Sequence, residues 1–188
     1  TRTRGLVLNP DDKLEIEMSV DADFAGLHGY EDPEDPTSVR SRTGYVICVP
    51  KCPVMWDSRL QTETAMSTMH AEYIALATAM RDLIPFKQIA QEVCTHMGLS
   101  DEKLATVKAK TVVHEDNNGT LTLANMESGR STPTSKFFNV KYHWFREQLK
   151  PNSIEIVKVS SEDQLGDCFT KGLRKILFRA TRMKVCGW

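Results

Sequence analysis

The chain has 188 residues, 40% of them hydrophobic, with 24 basic and 25 acidic side chains and a formal net charge of −1. That length supports one full core, and the charge balance excludes a protein that finds nucleic acid through a global basic field; local patches would have to hold such a partner. Its five cysteines, Cys48, Cys52, Cys94, Cys168 and Cys186, are odd in number and form no CxxC pair. This argues against a disulfide framework or zinc site and for reduced thiols inside the cell. No apolar run is long enough to span a bilayer, and the opening TRTRGLVLNP is unlike a signal peptide; lacking an initiator Met, it reads as a piece of a longer chain.

In chain order, Leu14, Ile16, Met18 and Val20 alternate with Glu15, Glu17, Ser19 and Asp21, the pattern of a strand with one apolar face, and the alternation stops at Asp21-Ala22-Asp23. Residues 26–38 are rich in Gly, Pro and acids and read as a solvated loop; Glu31, Asp32, Glu34 and Asp35 lack calcium-loop spacing. Strands are predicted over 43–49 and 53–57, joined by Pro50-Lys51-Cys52, so the chain opens as an antiparallel meander. Met66, Met69, Tyr73, Leu76 and Met80 then repeat at helical spacing behind a Ser67 cap. Pro85 is expected to break that helix, with a second one running to Gly98, and residues 100–110 read as a charged linker. A strand at 111–115 leads into Asp116-Asn117-Asn118-Gly119 and a short helix. Phe138, Tyr142, Phe145 and Leu149 mark one face of another helix, and residues 154–159 alternate as a strand. Ser161-Glu-Asp-Gln164 reads as a capping box opening a last helix, and six bases but no acid follow Cys168.

Four acids occupy comparable places. Asp21 and Asp116 end strands, while Glu72 and Asp167 lie in helices. If the first and fourth strands are neighbours, all four can converge. Converging carboxylates repel unless cations neutralise them, and oxygen-only ligation points to Mg²⁺, with Mn²⁺ as substitute. Two such ions about 4 Å apart suit in-line displacement at a phosphodiester.

SVDADFAG, SRTGYVICV, MSTMHAEYIALATAM, HEDNNGTLTLA and VSSEDQLGDCFTKGL, in that order, resemble the ribonuclease H domain at the C-terminus of copia-type LTR retrotransposon polyproteins, over about 4–171. The resemblance implies an α/β ribonuclease H-like fold: a five-stranded mixed sheet, three antiparallel strands then two reached through helices, with helices on both faces. It also implies two-metal hydrolysis of the RNA strand of RNA–DNA hybrids, with Asp21, Glu72, Asp116 and Asp167 as metal ligands. Residues 1–12 resemble the end of the reverse-transcriptase connection, 13–171 the nuclease domain, and 172–188 form a basic tail. Several positions depart from the family. His70 replaces the usual Glu of a Ser67 capping box, and Phe137 or Phe138 stands for the usual His of T-K-H-x-D. Gly166 replaces a usual Ala, which costs about 1 kcal/mol of helix propensity. Residues 160–164 are too few to carry the mobile histidine of cellular enzymes.

The expected function is therefore a metal-dependent endoribonuclease acting during reverse transcription, alongside the reverse transcriptase of the same polyprotein, in a cytoplasmic particle and away from membranes. Arg130, Lys136, Lys141, Lys171, Arg174 and Lys175 are the expected nucleic-acid contacts. The rival readings are an inactive remnant that only binds nucleic acid or packs on the polymerase, and an integrase-type core, against which Glu72 in AEY argues. His143 reads as a surface residue, His28 as a loop residue, His114 as an inward-packing one, and Trp56 and Trp144 as core or helix-packing residues.

Overall fold

The computed structural model of the chain describes residues 4–10, 15–29, 34–100, 110–127, 129–133, 135–138 and 140–188. The expected start of the first strand at Lys13 and Leu14, the acids Glu31 and Asp32, and most of the 100–110 linker lie outside the described residues. Strands β1 (Glu17–Asp23), β2 (Arg42–Cys48) and β3 (Pro53–Leu60) form the meander, followed by β4 (Thr111–Glu115) and β5 (Ile154–Lys158). The sheet order is β3-β2-β1-β4-β5, antiparallel across the first three strands and parallel from β1 to β4 and β4 to β5. This is the five-stranded mixed sheet expected from the sequence.

Helix α1 (Thr68–His96) covers one face. Met18, Val20, Tyr45, Ile47 and Val113 point toward it and meet Tyr73, Leu76, Met80 and Leu83, all buried. Full burial of such a side chain is worth about 1.5–3 kcal/mol, so this interface is the main source of stability. Ser67 caps α1 by accepting the His70 N–H (3.1 Å), and Gly98, at φ +65, ends it. The substitution at His70 costs less capping than expected, because its Nδ1 accepts the Met66 N–H (3.2 Å) while its ring stacks on Phe138 at 4.2 Å.

Pro85 does not divide α1. A proline inside a helix forfeits one backbone hydrogen bond, about 3 kcal/mol, but Leu83, Ile84 and Lys87 bury on either side of it and keep one axis. Helix α2 (Asn118–Asn125) is capped by Asn117, which accepts the Thr120 N–H (3.0 Å). The expected helix after Phe138 is instead two 3₁₀ turns, Val140–Tyr142 and Trp144–Gln148. The three-residue step from Tyr142 to Phe145 suits that tighter winding, and the Arg146 guanidinium, donating to the carbonyls of Met126, Glu127 and Arg130, holds it there.

The opposite face carries α3 (Asp167–Thr170) and α4 (Lys175–Cys186). Contact here requires glycine. A Cβ on Gly44 would lie 2.6–2.9 Å from Thr170 and Phe169, and one on Gly166 would lie 2.8 Å from Asp21. Part of the basic tail is thus a helix, with Thr181 and Val185 buried. The Val7 N–H donates to the Cys186 carbonyl (3.0 Å), and the Trp188 indole N–H donates to the Gly5 carbonyl (2.7 Å), tying the two ends of the described chain together.

Candidate active site

Strand register brings the first two acids together. Ser19 pairs with His114, so two residues further on Asp21 and Asp116 emerge side by side where the parallel ladder ends. Asp21 does not end its strand: β1 continues to Asp23, held by pairing with β2. Past the ladder, the buried Gln164 side chain takes its place. Its Nε2 donates to the Val20 carbonyl (2.8 Å) and the His114 carbonyl (3.4 Å), while its Oε1 accepts the Gly166 N–H (3.1 Å). From the other side of the sheet, α1 delivers Glu72, which accepts the Ala22 N–H. One carboxylate oxygen from each of Asp21, Glu72 and Asp116 lies within 4.8 Å of the others.

Asp167 stands beside this group rather than in it. Its Oδ1 pairs with Lys171 Nζ at 2.7 Å, and the same ammonium lies 3.7 Å from Asp21 Oδ2. Thr170 Oγ1 also donates to Asp21 Oδ2. The Asp167 charge nonetheless acts on Asp21, pushing its pKa upward. Asp23 is half-buried and outside the cluster, and the nearby turn is fastened by the Ala25 N–H donating to Ser41 Oγ (3.3 Å).

The acids are under electrostatic stress. Burial raises Asp21 to about 6, against the opposing Thr170 hydrogen bond and Lys171 charge, with Asp167 and Asp116 adding repulsion. Burial, followed by the charges of Glu115, Asp21 and Asp116, pushes Glu72 up to about 11. Glu115, wholly buried, is raised to about 8 by desolvation despite accepting the Asn117 N–H (2.9 Å). Glu72 Oε2 and Glu115 Oε2 are buried with no hydrogen-bond partner. Orphaned, mutually repelling oxygens in an all-carboxylate set fit a hard divalent cation, which would supply the missing charge and ligation.

Sequence reasoning missed four contributors. Glu115 shares the inward parity of Thr111 and Val113, and that parity was the available signal. Gln164 and Ser161 read as a capping box, but α3 starts only at Asp167; Ser161 Oγ donates to Asp116 Oδ2 (2.7 Å) instead. Thr170 carried no signal, since its partner lies 149 positions away. Two further assignments change. His143 is half-buried, its Nδ1 2.9 Å from the Tyr73 hydroxyl, because α1 passes beneath it, and Trp56 is 52% exposed because β3 is an edge strand.

Among the expected nucleic-acid contacts, Lys171 sits in the site. Arg130 and Lys136 line a cleft of about 540 Å³ together with His143 and Arg146. Arg130 also pairs with Glu127 (3.1 Å), and Lys141 pairs with Glu63. Arg174 and Lys175 are exposed at the start of α4.

The chain is 29% identical over 148 residues, 77% of its length, to the retrovirus-related Pol polyprotein from transposon TNT 1-94 of Nicotiana tabacum. It is 27% identical over 185 residues, 98% of its length, to those from transposons RE2 and RE1 of Arabidopsis thaliana. Its homologues are retrovirus-related Pol polyproteins of plant transposons. The chain spans only 10–11% of the length of these relatives. No family model matches it. Its fold is that of ribonuclease H: the structure of LC11-RNase H1, isolated from compost by a metagenomic approach, superposes with a TM-score of 0.54 at 19% identity, covering 84% of this chain and 93% of that one. No helix among the described residues of this Pol homologue is long and apolar enough to cross a membrane.

Proposed function

We propose that this Pol homologue contains the ribonuclease H domain of a copia-type element and hydrolyses the RNA strand of RNA–DNA hybrids with divalent cations, Mg²⁺ or in its place Mn²⁺. The observation that carries the reading is the convergence of Asp21, Glu72 and Asp116 within 4.8 Å at the end of the β1–β4 ladder. With Asp167 they form the set of metal ligands and catalytic residues. Bound there, the cations would lower the pKa of an attacking water and neutralise charge on the phosphodiester and its leaving oxygen. The chain's own residues do the positioning. Gln164 locks the strand ends, Thr170 orients Asp21, and Ser161 holds one oxygen of Asp116. Burial keeps bulk water from screening the site.

In this reading residues 1–12 come from the reverse-transcriptase connection, 13–171 form the nuclease, and 172–188 extend it, so the polymerase of the same polyprotein is its neighbour in a cytoplasmic particle. Arg130, Lys136, Lys141, Lys171, Arg174 and Lys175 supply local positive charge to the hybrid, which a net charge of −1 does not. The test is incubation of the purified chain with Mg²⁺ and a hybrid labelled on each strand. RNA-strand cleavage that disappears with EDTA and in Asp21→Asn is the expected result; no cleavage, DNA-strand transfer, or cleavage surviving the chelator overturns it.

A further inference from the structure

Resting on that reading of the acidic cluster as a two-cation nuclease centre, we propose that Lys171 is an internal counter-cation that holds the place of the second ion between Asp21 and Asp167. Its ammonium lies 2.7 Å from Asp167 Oδ1 and 3.7 Å from Asp21 Oδ2. Asp21 and Asp167 are almost wholly buried, with side chains 2% and 6% exposed, so when ionised they need a cation at close range. Asp21 therefore faces two ways: toward Glu72 and Asp116 on one side, and toward Lys171 and Asp167 on the other.

An ammonium and a divalent ion cannot share those oxygens, because both need the same lone pairs and repel each other. Lys171 can leave. It is the C-cap of α3, in extended backbone, and its side chain is 42% exposed on a flexible stem. The phosphate backbone of an incoming hybrid is the anion that would receive it. Entry of the second ion and engagement of a phosphate by Lys171 are then coupled, and by linkage each favours the other. Among the described residues Glu72 and Asp116 form no ion pair with a lysine, and Lys158 donates to the Asp116 backbone carbonyl, so within the three-acid group the competition falls on Asp21 alone.

The experiment counts Mn²⁺ bound to the whole chain without nucleic acid, by electron paramagnetic resonance of the free ion and by calorimetry. Wild type should bind one ion well and a second weakly. Lys171→Met should tighten the second ion by roughly tenfold or more, the size of effect one opposite charge has on a neighbouring carboxylate. Lys171→Arg should behave like wild type, and adding Asp167→Asn to Lys171→Met should erase the gain. An unchanged or weaker second ion in Lys171→Met overturns the proposal; if that variant fails to show a native circular-dichroism spectrum, Lys171→Gln carries the same expectation. Hybrid cleavage by wild type is scored separately. A gained second ion in a chain that cleaves nothing leaves the counter-cation standing and removes the nuclease reading, whereas cleavage with no change in ion affinity does the reverse.

Discussion

Gly166→Ala separates local propensity from tertiary packing, because the two predict opposite signs. Helix propensity alone would make the alanine stabilising by about 1 kcal/mol. In the structure Gly166 precedes the first turn of α3, and an added Cβ would meet Asp21 Cβ and N at 2.8 Å and the Val20 carbonyl carbon at 2.9 Å. Two of these three atoms are backbone of a central strand, paired with β2 and β4, and cannot rotate away. The clash must move α3 outward, at the cost of about 1–3 kcal/mol typical of overpacking. For a chain of this size that lowers Tm by roughly 2–12 °C. The same shift separates Asp167 from Asp21, and misplacement of about 1 Å costs on the order of 100-fold in rate. Urea unfolding and single-turnover hybrid cleavage are the assays, with Gly172→Ala as control because nothing lies within 4 Å of its Cβ. A Gly166→Ala chain as stable as wild type, or more so, would refute the packing argument.

Asp21→Asn should lower cleavage by orders of magnitude while Asp23→Asn retains most of it, since only Asp21 joins the acid cluster; single-turnover rates at saturating Mg²⁺ decide, and the reverse ranking would shift the ligand by two residues. Asp116→Asn should leave Tm in EDTA unchanged or higher, because it removes repulsion felt by Asp21, Glu72 and Glu115, and should abolish the Tm rise on adding Mg²⁺; a collapsed fold counts against it. Burial raises Asp21 to about 6, Glu115 to about 8 and Glu72 to about 11, so the folded chain holds protons that the unfolded chain has released. Stability from these groups is complete below their ordinary pKa of about 4 and is lost as pH climbs through the folded values. Tm in EDTA should therefore fall between pH 5 and 9, with a larger Mg²⁺ rescue at pH 8 than at pH 5.5; a flat or rising Tm would contradict it.

Local signals were legible in the sequence wherever the physics is local. The alternation around Met18 and Val20, the Ser67 cap and the stop at Gly98 each depend on neighbours within a few residues. Short links gave the antiparallel meander, but the adjacency of β1 and β4, which brings Asp21 and Asp116 side by side, stood in the sequence only as a condition that the sheet order meets. What only the tertiary structure decided is set by partners distant along the chain. Pro85 stays inside one helix because the core holds both of its flanks. Gln164 and Ser161 forgo capping because the ends of β1 and β4 offer stronger demands, open carbonyls and a carboxylate. Glu115 becomes a buried acid because α1 and the sheet close over it, and Lys171 becomes a counter-ion because glycines at 44 and 166 let α3 touch the sheet. Backbone propensity is a property of a short window, whereas desolvation and charge repulsion depend on what folding brings within a few ångströms, and that was fixed only when β1, β4, α1 and α3 met.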